Sequence, residues 1–184
     1  WHARHNPAVL AAADLLAGKT VTGMRITWHE DVEKWHPGQE WIWRPGGFGV
    51  FDPGINAFSI ATAILPQPLF VKGAKLLVRH GAQTPIAADV DFGPGFTASL
   101  DWRRTEGEEW TIAIETADGL DLSLERGGAE LIVNGERQAC DGMGEYPSLY
   151  AHFLDLIDNR RSEIDLRPLR LVADCLLVGE TEQA

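Results

Sequence analysis

Cysteine is scarce: the 184 residues contain two, Cys140 and Cys175. A pair so placed cannot build the disulfide framework of a small secreted domain, and the expectation is buried thiols in a reducing compartment. Long apolar runs are lacking too. No stretch approaches the ~18 apolar residues of a membrane span, and the opening WHARHNPAVL has no signal-peptide character. A membrane is therefore excluded as a partner, and a cytoplasmic location is expected. Positive charge is in deficit, with 16 Lys and Arg against 27 Asp and Glu and a formal net charge of −11. Nucleic-acid binding needs clustered Lys and Arg, so that class of partner is excluded as well. Three signatures are missing: G-x-G-x-x-G after a strand, the Walker lysine loop, and the G-x-S-x-G elbow. The glycine-rich pieces at 46–49, 93–95 and 127–128 open no strand–helix–strand unit.

What is present is an ordinary apolar core. Hydrophobic residues make up 45% of the chain, and a chain of this length buries roughly 70% of its unfolded surface. Asn6 suits a helix cap and Pro7 a first turn, and the apolar run that follows stops at Gly18. TVTGMRITWHE alternates, placing Thr22, Met24, Ile26 and Trp28 on one face of a strand. The stretch from Glu30 to Pro45 follows neither period. Residues 49–65, GVFDPGINAFSIATAIL, read as a turn feeding a buried helix, and PLFVKGAKLLVR as an edge strand. Phe96, Ala98, Leu100 and Trp102 share one face of the next strand. Trp110, Ile112 and Ile114 share a face of another, and Leu120, Leu122 and Leu124 of a third. Glu106–Gly107 and Asp118–Gly119 supply the turns, and AELIVNGE adds another strand ending at Asn134–Gly135.

Two helices follow. Leu149, Phe153, Leu156 and Ile157 line one, Leu169, Val172, Ala173, Leu176 and Leu177 the other, and both faces are expected to cover the sheet. The pattern is α+β: one large, predominantly antiparallel, open-faced sheet with helices packed on one face. The uncovered face carries Thr, Ser and Arg, which points to a homo-oligomer formed through it.

The candidate site lies within residues 27–56. Four of the seven tryptophans fall between 28 and 43, among imidazoles and carboxylates. Indole faces stack on the C–H faces of sugars, and carboxylates and amides bind hydroxyls. The alternative is that these tryptophans are core or interface residues. Asp52 and Asn56 are four apart and share a helix face, although Asp52 serves equally well as a helix cap. His29, Glu30, Asp31 and His36 invite a metal reading, but their spacing matches no zinc signature. His2 and His5 fit simple surface exposure.

Two segments carry a family likeness. GGFGVFDPGIN at 46–56 resembles the Gly-Gly…Asp-x-x-x-His segment of the glucose–fructose oxidoreductase and inositol dehydrogenase family, with Asn56 where most members have His. WHEDVEKWHPGQEWIW at 28–43, EYPSLYAHFLDLI at 145–157 and DLRPLRLVADCLL at 165–177 are similar to its aldose 1-dehydrogenase branch, which oxidises L-arabinose or D-galactose. The resemblance implies that residues 1–184 form the C-terminal substrate-binding and oligomerisation domain of a two-domain dehydrogenase. NAD or NADP is then held mainly by an N-terminal Rossmann domain outside this chain. The family's catalytic lysine belongs to that domain too, so the chain by itself is expected to be inactive.

By the same resemblance Asp52 sits beside that lysine and Asn56 orients sugar hydroxyls near C1, the two forming the catalytic pair in this chain. His2, Glu30, Trp35 and Asn56 bind substrate: Glu30 through hydroxyls, Trp35 through the ring face, and His2 as a further polar contact. No cofactor-binding residue and no metal ligand is implied within the chain. A family member acting on another sugar or polyol, and a non-catalytic sugar-sensing or oligomerisation domain, are the alternative readings. An enzyme needs Glu30, Trp35, Asp52 and Asn56 around one cleft, whereas a scaffold lets them scatter.

Overall fold

A computed structural model describes residues 1–184. The helices are α1 (Pro7–Leu16), α2 (Val32–Trp35), α3 (Phe51–Ile64), α4 (Glu145–Asp158) and α5 (Arg167–Val178). The strands are β1 (Val21–His29), β2 (Gly73–Val78), β3 (Pro85–Gly93), β4 (Phe96–Asp101), β5 (Glu109–Thr116), β6 (Asp121–Glu125), β7 (Glu130–Val133), β8 (Glu136–Gln138) and β9 (Glu180–Gln183). Short 3-10 turns occupy Ala3–His5, Glu40–Trp43 and Arg126–Gly128. No helix is long and apolar enough to cross a membrane.

All nine strands form one sheet in the order β8-β7-β6-β5-β1-β4-β3-β2-β9. Neighbours are antiparallel except β1 with β4 and β2 with β9. The architecture is the expected α+β one, a mostly antiparallel open sheet with helices on one face.

Period-two alternation drives the covered face. Met24, Ile26 and Trp28 of β1, Ala98 and Leu100 of β4, Ile112 and Ile114 of β5, and Leu122 and Leu124 of β6 are all buried. They join one core with Phe58, Ala61 and Ile64 of α3. α3 lies so close to β4 that a Cβ on Gly54 would come within 2.6 Å of Leu100 Cδ1. α5 packs on α3 and β2, and α1 on α3, β6 and β7. The opposite face carries Arg25, Thr27, Asp89, Asp91, Thr97 and Ser99 around a cavity of about 610 Å³.

Several expectations need correction. The Glu106–Gly107 turn closes no hairpin, because β1 lies between β4 and β5. A register shift between Val21 and Gly23 turns Val21 into the core, so Thr22 is exposed rather than aligned with Met24. β2 is not an edge, since β9 pairs along it. β3 was not foreseen despite its alternation of buried Ile86, Ala88, Val90 and Phe92. Its Pro85, Asp89 and Asp91 are residues that strands disfavour. β8 and β9 carry no apolar pattern and are exposed throughout.

The helices at the end of the chain differ more. α4 buries none of its residues and does not cover the sheet. Tyr150, Phe153, Leu154 and Ile157 all stand exposed on it. On α5 the inward face is Pro168, Leu171, Val172 and Cys175, whereas Leu176 and Leu177 point to solvent.

Candidate functional site

Asp52 reaches the site because a glycine turn lets α3 start there. Gly49 adopts φ +55°, and a Cβ on it would fall 2.3 Å from the Pro85 carbonyl oxygen. The Val50 N–H donates to that same carbonyl at 2.7 Å. The helix start is thereby tied to the start of β3. Val50, not Asp52, is the N-cap residue, so the capping role weighed for Asp52 does not apply. Asp52 lies in the first turn, where the positive end of the helix dipole favours a carboxylate. Asn56 follows one turn later on the same side. Its Oδ1 is the one buried side-chain N or O atom without a hydrogen-bond partner.

Glu30 lies just beyond β1, pinned by its backbone. Its N–H donates to Asp101 O at 2.9 Å and its carbonyl accepts from Arg104 N–H at 3.2 Å. The side chain is buried, with both oxygens occupied. Trp102 Nε1 donates to Oε1 at 3.0 Å and Trp110 Nε1 to Oε2 at 2.9 Å. Burial raises the Glu30 pKa above its ordinary value, while the two indole donors and the nearby His36 pull it down.

The tryptophans spread outward from this carboxylate. The Trp35 ring lies 5.4 Å from that of Trp110 and is 45% exposed, with Lys34 Nζ 5.0 Å from its centroid. Trp43 meets Trp102 edge-on at 5.5 Å. His36 sits against Trp102 at 5.2 Å, and its Nε2 is 3.7 Å from Asp52 Oδ2. Trp35, Glu30 and Asp52 are thus joined through Trp110, Trp102 and His36, with Asn56 one helical turn from Asp52.

His2 is anchored separately. Its Nδ1 pairs with Glu145 at the start of α4, and its ring stacks on Tyr146 at 5.1 Å. Asn6 Nδ2 donates to the other oxygen of Glu145 at 2.9 Å. The 3-10 turn beginning at Ala3 packs against α3, which brings this end of the chain to the same helix. His5 faces His152 at 5.5 Å; burial, then Arg4 and His152, hold its pKa below the ordinary value.

The other candidates have separate partners. His29 Nε2 reaches Ser99 Oγ at 3.1 Å, and Asp31 caps α2 by accepting from Glu33 N–H at 2.9 Å. No group of three or more His, Cys, Asp or Glu side chains is placed to hold a metal ion. Cys175 is fully buried and its thiol is pushed up to about 12 by that burial, which leaves it unreactive. Cys140 is half-buried.

No family model matches the sequence. A galactose 1-dehydrogenase of Pseudomonas fluorescens is 49% identical over 177 residues, which cover 94% of this chain and 58% of that protein. The crystal structure of a D-galactose-1-dehydrogenase protein from Rhizobium etli superposes with a TM-score of 0.93 at 45% identity, covering all of this chain and 60% of that one. The chain matches the C-terminal domain of the glucose–fructose oxidoreductase and inositol dehydrogenase type.

The fold reaches well beyond close sequence relatives. A 3-ketoreductase from Actinomadura kijaniata aligns over the whole chain with a TM-score of 0.74 at 14% identity, a likeness of fold alone. Within this domain, Trp102 and Trp110 escaped notice as site residues because strand alternation already accounted for them. The signal lay in their placement, Trp110 opposite Trp28 in the register and Trp102 just past the end of β4. His36 drew attention only as a metal ligand, and Glu145 drew none.

Proposed function

We propose that this chain is the substrate-binding domain of an NAD(P)-dependent aldose 1-dehydrogenase, acting on D-galactose or L-arabinose. The unpaired, buried Oδ1 of Asn56 carries the reading. A buried acceptor without a partner is costly unless a ligand donor completes it. An aldose hydroxyl is such a donor, and it would arrive one turn from the Asp52 carboxylate. The 49% identity to a galactose 1-dehydrogenase supports the sugar and the reaction.

Nicotinamide dinucleotide, held mainly by a companion Rossmann domain, supplies hydride acceptance at C1. Here the chain's part is to bind and orient. Asn56 accepts from a hydroxyl near C1, Asp52 faces the proton-transfer centre, and Trp35 offers a ring face to the sugar. Glu30 acts on the sugar side through the indoles it holds, and His2 closes the site from the direction of α4. Orientation of this kind supplies much of an enzyme's advantage. The exposed aromatic face of α4 is the surface assigned to the companion domain. It adjoins Trp1, which lines one groove with Leu149, Phe153 and Leu156.

The open sheet face is assigned to a second copy of the chain. Arg25 and Lys75 stand there beside Asp89 and Asp91, so a two-fold copy can match plus to minus across it. The test of the function is nicotinamide reduction by the full-length protein with D-galactose, L-arabinose, D-glucose, D-xylose and myo-inositol, using NAD and NADP in turn. Turnover with one aldose supports the reading. Silence across the panel with cofactor still bound favours a sensing role.

A further inference from the structure

The segment that carries Trp35, Trp41 and Trp43 has little regular structure of its own. Between β1 and α3 it holds only the four-residue α2 and the 3-10 turn Glu40–Trp43. Its far end is fixed from outside, by the connection between β2 and β3. Consecutive residues of that connection each tie down a different piece of backbone. Gln83 N–H donates to Trp43 O at 3.0 Å, and Thr84 Oγ1 donates to Ile42 O at 2.6 Å. Pro85 O accepts from Val50 N–H at 2.7 Å, and Ile86 O from Trp102 N–H at 3.0 Å.

Thr84 is the centre of this clamp. It is 4% exposed, and a buried carbonyl that loses its donor is left without a replacement. A Cβ on Gly47 would come within 2.7 Å of the same Ile42 oxygen, and one on Gly49 within 2.9 Å of Thr84 Cβ. Thr84 is therefore packed between the tryptophan turn and the glycine turn that starts α3. Arg79, where the loop opens, lays its guanidinium 5.0 Å from the Trp43 ring centroid. Trp43 in turn meets Trp102 edge-on, and the Trp102 indole N–H donates to Glu30.

The two walls of the candidate site thus share an anchor. One wall is Glu30 with Trp102 and Trp43, and the other is Asp52 with Asn56 on α3. We propose that Thr84 is a positioning residue: its hydroxyl, with the loop 79–85 around it, sets the separation between the tryptophan wall and the start of α3. It acts through Ile42 and Trp43 on one side and the Gly49 turn on the other, not on the sugar. The effect on turnover rests on the aldose dehydrogenase reading; the clamp itself does not. A small misplacement of binding groups is costly in catalysis, so a side chain outside the site can govern kcat.

Two measurements on the full-length protein test it. Thr84→Val keeps the shape and removes the donor, whereas Thr84→Ser keeps the donor. The first measurement needs no activity: the indole N–H resonances. Thr84→Val is expected to move those of Trp43 and Trp102 more than that of Trp1, and Thr84→Ser to restore them. Unmoved Trp43 and Trp102 resonances overturn the proposal. The second is steady-state kinetics with the active aldose. Folded Thr84→Val is expected to lower kcat about ten-fold with KM within about three-fold, and Thr84→Ser to recover most of the loss. Arg79→Ala, at an exposed position, should act in the same direction by about three-fold. It decides the matter by the same two readouts if Thr84→Val does not fold. Wild-type kcat in the folded variants means that the loop serves stability alone, and overturns the proposal. Should no aldose turn over while the indole resonances respond as expected, the aldose dehydrogenase reading fails and the clamp is supported.

Discussion

Single residues in this chain separate binding from stability cleanly. Asn56 Oδ1 has no partner in the fold, so Asn56→Ala removes no intramolecular bond at that atom. We expect kcat/KM of the full-length protein to fall about ten-fold, the worth of one hydroxyl bond, while urea unfolding moves by less than about 0.5 kcal/mol. Glu30 is the converse case. It is 4% exposed, and Glu30→Ala would strand the buried indole N–H of Trp102 and the half-buried one of Trp110. Unfolding should cost about 2–5 kcal/mol less in the variant, read by urea denaturation with tryptophan fluorescence.

The carboxylates also set the acid limit. Arg167 holds Asp165 well below the ordinary carboxylate range against an opposing burial effect, and Arg4 adds to the pull. A depressed folded pKa gives stability that is present above the ordinary value, 3.8, and lost as pH falls below it. Glu30 runs the other way: its pKa is raised above 4.5, so its ionisation removes stability as pH rises through 4.5 and above. Asp165→Asn should therefore flatten the loss of stability below pH 4, measured by urea midpoints across the acid range. Little of this was legible in the residues. Residue type and spacing marked Glu30, Asp52 and Asn56, but no linear pattern tells that two strand-end indoles converge on one carboxylate. The same blindness covers His36, whose partner Asp52 lies on another element.

At the scale of elements, alternation proved the better guide. β4, β5 and β6, and β1 from Met24 onward, read correctly because each has one wet face and one dry face. β3 alternates equally well, yet its flanking Pro85 and paired aspartates resemble a loop. β8 and β9 bury nothing, so only backbone pairing reveals them. α4 failed for a different reason. Its apolar stripe is real, but amphipathicity states that a face wants a cover and not which surface supplies it. Gly54 marks the close approach of α3 to β4, where its Cα faces Leu100. Gly54→Ala should destabilise by about 1–3 kcal/mol through overpacking against Leu100. It should also lower kcat, since Asp52 and Asn56 flank Gly54 on the same helix. An unfolding midpoint equal to wild type would show that Leu100 yields freely.

For the whole molecule, the uncovered surfaces decide what it associates with. The open sheet face is polar and charged, the α4 face aromatic, and the two lie on different layers. Thr27→Arg on the open face is expected to shift the sedimentation of the protein toward a monomer while leaving its unfolding midpoint within about 0.5 kcal/mol. A sedimentation coefficient identical to wild type would move the subunit contact elsewhere. The sheet edges argue against growth by strand addition, because the outermost strands β8 and β9 are short and polar.

The central place of β1 has a consequence in time. β1 ends at His29, but the strands on its two sides begin at Phe96 and Glu109. Closing a loop of that span costs about 4 kcal/mol of chain entropy before any pairing rewards it. Topologies of this kind fold in milliseconds to seconds rather than microseconds. During synthesis from the N-terminus, α1, β1 and α3 emerge with their apolar faces bare. The centre of the sheet stays open until Thr116 has cleared the ribosome, and a chaperone that binds apolar strands has that whole interval in which to act.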